Sequence, residues 1–263
     1  MRIRFKIRVL LVAAVFALQA MANSLYVAAQ TKPIKNIVFV HGAFVDGSGW
    51  KGVHDILVEK GFHVAVVQHS LMSFKSDVAA AEAVINRQDG PCILVSHSYG
   101  GAVITEAGNN PQVAGLVYVA AHAPDQGENE ADLGKKTPPL YKSLQKLSDG
   151  FDIIAPQSFP SDFAADVEPG LARFMAVSQV PTADSAFHAV IQKPAWRSKP
   201  SWYVVAGADR IINPDLERMY AKRAGSKKIE VAGASHSVFI SHPVEVAGLI
   251  MDAANEASAK NKK

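Results

Sequence analysis

The chain has 263 residues, 49% of them hydrophobic and 19% charged, and a formal net charge of +3. That is the composition of an ordinary soluble globular protein, long enough to bury a large core in one α/β domain with an insertion. Its single cysteine, Cys92, excludes intramolecular disulfides and thiolate metal clusters, and reads as a buried small hydrophobe within a strand.

The start departs from that average. Arg2, Arg4, Lys6 and Arg8 precede an apolar run over residues 9–20, and small residues follow at Ala20 and Ala22 and again at Val27-Ala28-Ala29. Residues 1–22 therefore read as a secretory signal, cut after Ala22 or as late as Ala29. An uncleaved anchor or a core helix are the alternatives, but the run is short for a membrane span. Losing those four cations takes the formal charge to −1, so the basic balance gives no support to nucleic-acid binding. The expectation is an exported protein, periplasmic or extracellular, with no stable membrane association after cleavage.

From residue 30 onward, apolar runs alternate with amphipathic ones. Residues 35–40 predict a strand ending at His41-Gly42-Ala43-Phe44, and residues 50–60 predict a helix stopped by Gly61. A strand at 63–68 follows, then an alanine-rich helix at 77–87 capped by Ser76. Next come a strand at 91–95, a helix from Gly101, and a valine-rich strand at 113–121. Each connection is long enough for a crossover helix, so the sheet is expected to be mainly parallel. The rhythm stops over residues 124–199, which show no clear strand but many Pro, Asp and Ser residues and scattered aromatics. That stretch is too long for a structureless loop and predicts a helical cap. The alternation resumes with a strand at 201–206, a helix at 215–224, a strand at 227–231, a closing helix at 243–254 and a polar tail. The expected architecture is an α/β core of residues 30–123 and 200–260, its parallel sheet flanked by helices, with a cap of 124–199.

The segment Ser96-His97-Ser98-Tyr99-Gly100 lies between an apolar strand and a helix. A serine there sits on a sharp turn with its hydroxyl at the sheet's C-terminal edge. Serine needs a base to take its proton, and the base needs a carboxylate to fix its tautomer. His236 follows the last predicted strand and Asp209 follows the one before it. The resulting order of Ser98, Asp209 and His236 is that of α/β hydrolases. The His41 loop follows the first core strand, where a backbone N–H can share an oxyanion with the N–H of Tyr99. His41 itself reads as a brace for that loop. None of the other histidines shows metal-like spacing, so no metal and no cofactor are expected.

With these motifs the chain resembles the α/β-hydrolase superfamily over essentially all of its mature sequence. His41-Gly42-Ala43, Asp46-Gly47-Ser48-Gly49-Trp50, Ser98-Tyr99-Gly100-Gly101, Gly207-Ala208-Asp209 and Gly233-Ala234-Ser235-His236 look like the esterase branch that holds plant methylesterases and hydroxynitrile lyases. The resemblance implies Ser98 as nucleophile, Asp209 as acid, His236 as base, and the Ala43 and Tyr99 amides as oxyanion hole. Two departures stand out: Ser96 replaces the first glycine of the elbow, and Gln68-His69-Ser70-Leu71 replaces an Asp-Leu-Pro-like stretch. Hydroxynitrile lyases of this branch carry a lysine where this chain has Ser237.

The expected function is a serine hydrolase cleaving small or medium carboxylic esters through an acyl-enzyme. Phe44, Phe174 and Phe187 are candidate pocket residues. A lyase, perhydrolase or cofactor-free oxygenase, or a binding protein retaining the triad, is the alternative. No oligomeric state follows from the sequence.

Overall fold

Short runs of Val, Ile and Ala become the strands of one parallel sheet. The structure, a computed structural model, describes residues 33–260; the expected signal segment lies outside the described residues. In chain order it runs β1 (Asn36–Val40), α1 (Lys51–Glu59), β2 (His63–Val67), α2 (Phe74–Ile85), β3 (Cys92–Ser98), α3 (Gly100–Ala107) and β4 (Val113–Ala121). Then follow α4 (Glu130–Lys136), β5 (Leu144–Lys146), β6 (Phe151–Ile154), α5 (Phe159–Phe163), α6 (Pro169–Val177), β7 (Thr182–Ala183) and α7 (Asp184–Phe187). The chain closes with β8 (Ser201–Ala206), α8 (Pro214–Arg223), β9 (Lys227–Val231), α9 (Val238–Ser241) and α10 (Pro243–Lys260).

The main sheet has the order β2-β1-β3-β4-β8-β9, with every pairing parallel. Parallel strands covered on both faces must be apolar at successive positions, as residues 37–40 of β1, 92–95 of β3 and all of β4 are. Ile37, Phe39, Ile93 and Val95 pack on one face against Val53 and Leu57 of α1 and Val246 and Ile250 of α10. Val38, Leu94 and Tyr118 pack on the other face against Ala81 of α2, Val103 of α3 and Leu216 and Tyr220 of α8. The edge strands β2 and β9 are only partly buried, and Lys227 and Lys228 keep β9 solvated. From β1 the chain turns one way to β2, then returns to lay β3 on the other side. The loops leaving β1 and β3 therefore diverge, and a crevice opens at their C-terminal ends.

Several boundaries differ from the sequence reading for identifiable reasons. The helix expected at 77–87 starts a turn earlier, because Ser73 rather than Ser76 is its N-cap and accepts from the Ser76 N–H. Strand β3 runs past Val95 to Ser98, its polar residues Ser96 and His97 pairing with Tyr118 and Val119 of β4. The supposed polar tail continues α10, with Ala257 buried against the core. The stretch 124–199 contains helices and also an antiparallel sheet of order β5-β6-β7, contrary to the expectation of no strand there. Those strands have three, four and two residues, too few to display an alternating pattern. This segment is tied to the core loops by backbone bonds from Val180 N–H to the Phe44 carbonyl and from Ala183 N–H to the Leu71 carbonyl.

Two glycines separate close approach from open space. A Cβ on Gly101 would stand 2.0 Å from the His122 carbonyl oxygen, whereas one on Gly248 meets nothing within 4 Å. Urea denaturation should therefore find Gly101→Ala destabilised by about 3 kcal/mol. Gly248→Ala, inside α10, should gain about 0.5–1 kcal/mol from lost unfolded-state entropy. Equal effects at the two sites would contradict the packing described for the β3–α3 turn.

Candidate active site

The turn from β3 into α3 holds Ser98 at φ +54, a left-handed conformation that a residue with a Cβ rarely adopts. Close packing enforces it. A Cβ on Gly42 would lie 2.7 Å from Ser98 Cβ, so only a bare backbone lets the β1 loop pass the serine. On the other side, the His122 N–H donates to the Ser98 carbonyl at 3.1 Å.

His236, wholly buried, stands between Ser98 and Asp209. Its Nε2 is 2.8 Å from Ser98 Oγ and its Nδ1 is 2.6 Å from Asp209 Oδ2. Asp209 is also wholly buried, and its Oδ1 accepts from the Ile211 N–H at 2.7 Å and the Ile212 N–H at 3.0 Å. With Asp209 accepting the Nδ1 proton, the Nε2 lone pair faces the serine hydroxyl. The ring of His236 is wedged edge-on against Phe163 at 4.7 Å and lies 4.5 Å from the ring of His97.

Two supporting groups escaped the sequence reading. His97 Nε2–H donates to the His236 carbonyl at 3.0 Å, and burial holds its imidazole well below the usual range, hence neutral. Glu217, fully buried on α8, accepts the Ala206 N–H at 3.1 Å. Burial, and then the charge of Asp209, push its carboxyl well above the ordinary range, so it stays neutral behind Asp209. A signal was present: Glu217 falls on the buried face of α8 beside Leu216 and Tyr220.

His41 braces its loop. Its Nδ1–H donates to the Gly42 carbonyl at 2.9 Å, its Nε2 accepts the His69 N–H at 3.3 Å, and its ring stacks on His69 at 3.7 Å. The Tyr99 side chain is pinned away from Ser98, its hydroxyl donating to Asp77 at 2.9 Å. The backbone N–H groups of Ala43 and Tyr99 donate to no acceptor among the described residues, and both residues line a cavity with Ser98.

That cavity measures about 330 Å³ and is walled by Phe44, Phe187, Leu144, Ile212 and Leu216. Phe44 and Phe187 are thus placed where the sequence suggested, their rings 6.0 Å apart. Phe174 is not. It is 64% exposed and borders a separate cavity of about 370 Å³, because α6 docks through Ala172 and Ala176 and turns Phe174 outward. Among the described residues, no group of three His, Cys, Asp or Glu side chains is placed to hold a metal ion.

Residues 37–249 match the alpha/beta hydrolase family. The chain belongs to that family. This hydrolase is 29% identical over 134 residues to a carbendazim hydrolyzing esterase of Nocardioides sp. (strain SG-4G), across 46% of this chain and 55% of that protein. The alignment therefore spans little more than half of that relative's length. It is 27% identical over 204 residues to Esterase PIR7B of Oryza sativa subsp. japonica, across 68% of this chain and 74% of that one. The hydrolase shares its fold with crystal structures of polyneuridine aldehyde esterase (TM-score 0.71, 18% identity, 83% of this chain and 98% of that one). It likewise shares it with a pyrethroid hydrolase from Sphingobium faniae JZ-2 (TM-score 0.71, 21% identity, 86% and 99%).

The bracing histidine of the hydrolase has a measurable signature. Burial, and then His69, lower the His41 pKa from 6.5 to about 4. The unfolded chain binds that proton below 6.5 and the folded protein does not, so stability is complete above 6.5 and is lost as pH falls toward 4. Relative to His41→Gln, the wild type should lose about 1.4 kcal/mol per pH unit across that window. Urea denaturation of both proteins at several pH values reads this directly. Parallel curves would mean that His41 titrates alike in the folded and unfolded states.

Proposed function

We propose that this hydrolase is a serine esterase cleaving small or medium carboxylic esters through an acyl-enzyme. The observation that carries the reading is the unbroken hydrogen-bonded line from Asp209 through His236 to Ser98, opening on a largely apolar cavity of about 330 Å³. In it, His236 Nε2 takes the Ser98 proton as Oγ attacks the ester carbonyl, and then gives that proton to the leaving alcohol. Asp209 holds the ring in the required tautomer and offsets the imidazolium charge. The oxygen that becomes negative is received by the Ala43 and Tyr99 N–H groups. Water activated by the same imidazole then releases the acid.

Two curated relatives bear the name esterase, which supports the reaction class. The cavity is at the small end of ligand sites, which supports compact substrates. Ser237, at the position of the lyase lysine, donates its hydroxyl to the Phe163 carbonyl at 2.9 Å and brings no charge to the cavity. That favours hydrolysis over cyanohydrin cleavage.

With p-nitrophenyl butyrate, Ser98→Ala should lose on the order of 10³-fold or more in kcat while keeping the wild-type circular dichroism spectrum. A fluorophosphonate should label the wild type at Ser98. Asp209→Asn should keep the fold but both label and turn over far more slowly, since an amide favours the wrong imidazole tautomer. Near-normal turnover by Ser98→Ala would remove the nucleophile assignment.

The two phenylalanines of the cap predict opposite outcomes. Phe187→Ala, which enlarges the cavity, should shift the best acyl length upward across a p-nitrophenyl series. Phe174→Ala should leave the profile where it was. The same shift in both variants would mean that the cavity beside Phe174 also receives substrate.

A further inference from the structure

The cavity at Ser98 carries a polar feature that the proposed triad does not use. Glu130 lines it yet is only 6% exposed. Its Oε2 lies 3.6 Å from His122 Nε2, and its Oε1 is buried with no hydrogen-bond partner among the described residues. A buried polar atom left unpaired is costly, and an apolar side chain of equal size would avoid that cost. Burial also pushes the Glu130 carboxyl well above the usual range, so it enters the cavity wall as a neutral acid with an O–H to give.

The neighbours leave that proton without an acceptor. His122 is fixed beside the nucleophile by its backbone bond to the Ser98 carbonyl. Its Nδ1 is 3.1 Å from the Tyr220 hydroxyl, which donates to it and leaves Nε2–H turned toward Glu130 Oε2. Burial, with His236 as a second cause, holds the His122 pKa well below 6.5, so it forms no ion pair with Glu130. At 3.6 Å that pair is beyond hydrogen-bond reach, so the Glu130 carboxyl has no hydrogen-bond partner among the described residues and its O–H is free for an acceptor in the cavity. Ile212, Leu216 and Phe187 form the apolar wall of the same cavity.

We infer that Glu130 is a specificity residue of this cavity, donating a hydrogen bond from its carboxyl O–H to an acceptor on the substrate. The favoured substrates are then esters whose cavity-filling part carries a ketone or ether oxygen or a ring nitrogen, over plain alkyl esters of equal length. This rests on the ester-hydrolase reading of Ser98. Pairing the acceptor satisfies a group that a plain alkyl chain leaves unpaired, which makes the discrimination one of differential binding.

The test compares p-nitrophenyl hexanoate with its 4-oxo and 5-oxo derivatives, which differ only by one carbonyl. In the wild type, one oxo ester should exceed hexanoate in kcat/KM by about tenfold. In Glu130→Met, of similar size without a donor, that ratio should fall to about one. Glu130→Gln, whose amide can still donate, should retain most of it. A merely structural Glu130 would change both esters alike and leave the ratio untouched. Cleavage of hexanoate with no oxo preference in the wild type would overturn the inference while sparing the esterase reading, and needs no variant. A preference that survives Glu130→Met would overturn it as well. If neither ester is cleaved and no fluorophosphonate label appears, the esterase reading falls and takes this inference with it.

Discussion

The site depends on one steric constraint, the crowding of three backbones around the turn from β3 into α3. The loop after β1 passes on one side through Gly42, and the residue after β4 closes the other side with its N–H on the Ser98 carbonyl. A serine with φ +54 would relax if the chain around it were loose. The parallel ladder of β1, β3 and β4 keeps it tight, since the register that pairs Val40 with Ser96 also brings the two loops together. Sheet order, glycine placement and the conformation of Ser98 are thus one requirement seen at three scales.

The electrostatics follow from the same crowding. Four imidazoles, those of His41, His97, His122 and His236, lie close around the turn. Burial lowers the affinity of the first three for protons, and only His236 has a buried carboxylate on its Nδ1. Positive charge that develops in this cluster therefore has one stable location. On the acid side, burial keeps Glu217 neutral, while two backbone N–H groups and an imidazole surround the Asp209 carboxyl.

Much of this was legible in the sequence because it is local. Ser98 ends one strand and Asp209 follows another whose apolar runs are plain, and the glycines beside these two and beside His236 announce tight turns. The strands at Val113–Ala121, Ser201–Ala206 and Lys227–Val231 have the bounds their composition suggests. What escaped is non-local. Nothing in the neighbourhood of Phe174 tells which way α6 faces; that depends on Ala172 and Ala176 docking elsewhere. Nor does the sequence around β6 reveal a four-residue strand, which exists because β5 and β7 arrive on either side. Glu130, on α4, is buried only by parts of the chain distant in sequence. Ser73 prevailed over Ser76 as a cap because Asp77 is drawn inside by the Leu71 N–H and the Tyr99 hydroxyl, which winds the helix back by a turn.

Cys92 opens β3, shielded on both faces of the sheet, and burial pushes its thiol up to about 12. It is the chain's only cysteine. A thiol outcompetes an alcohol for soft electrophiles only as thiolate and only when it can be reached, and this one satisfies neither condition. The protein therefore offers such reagents no competing thiol. Reversible thiol chemistry is equally closed to it.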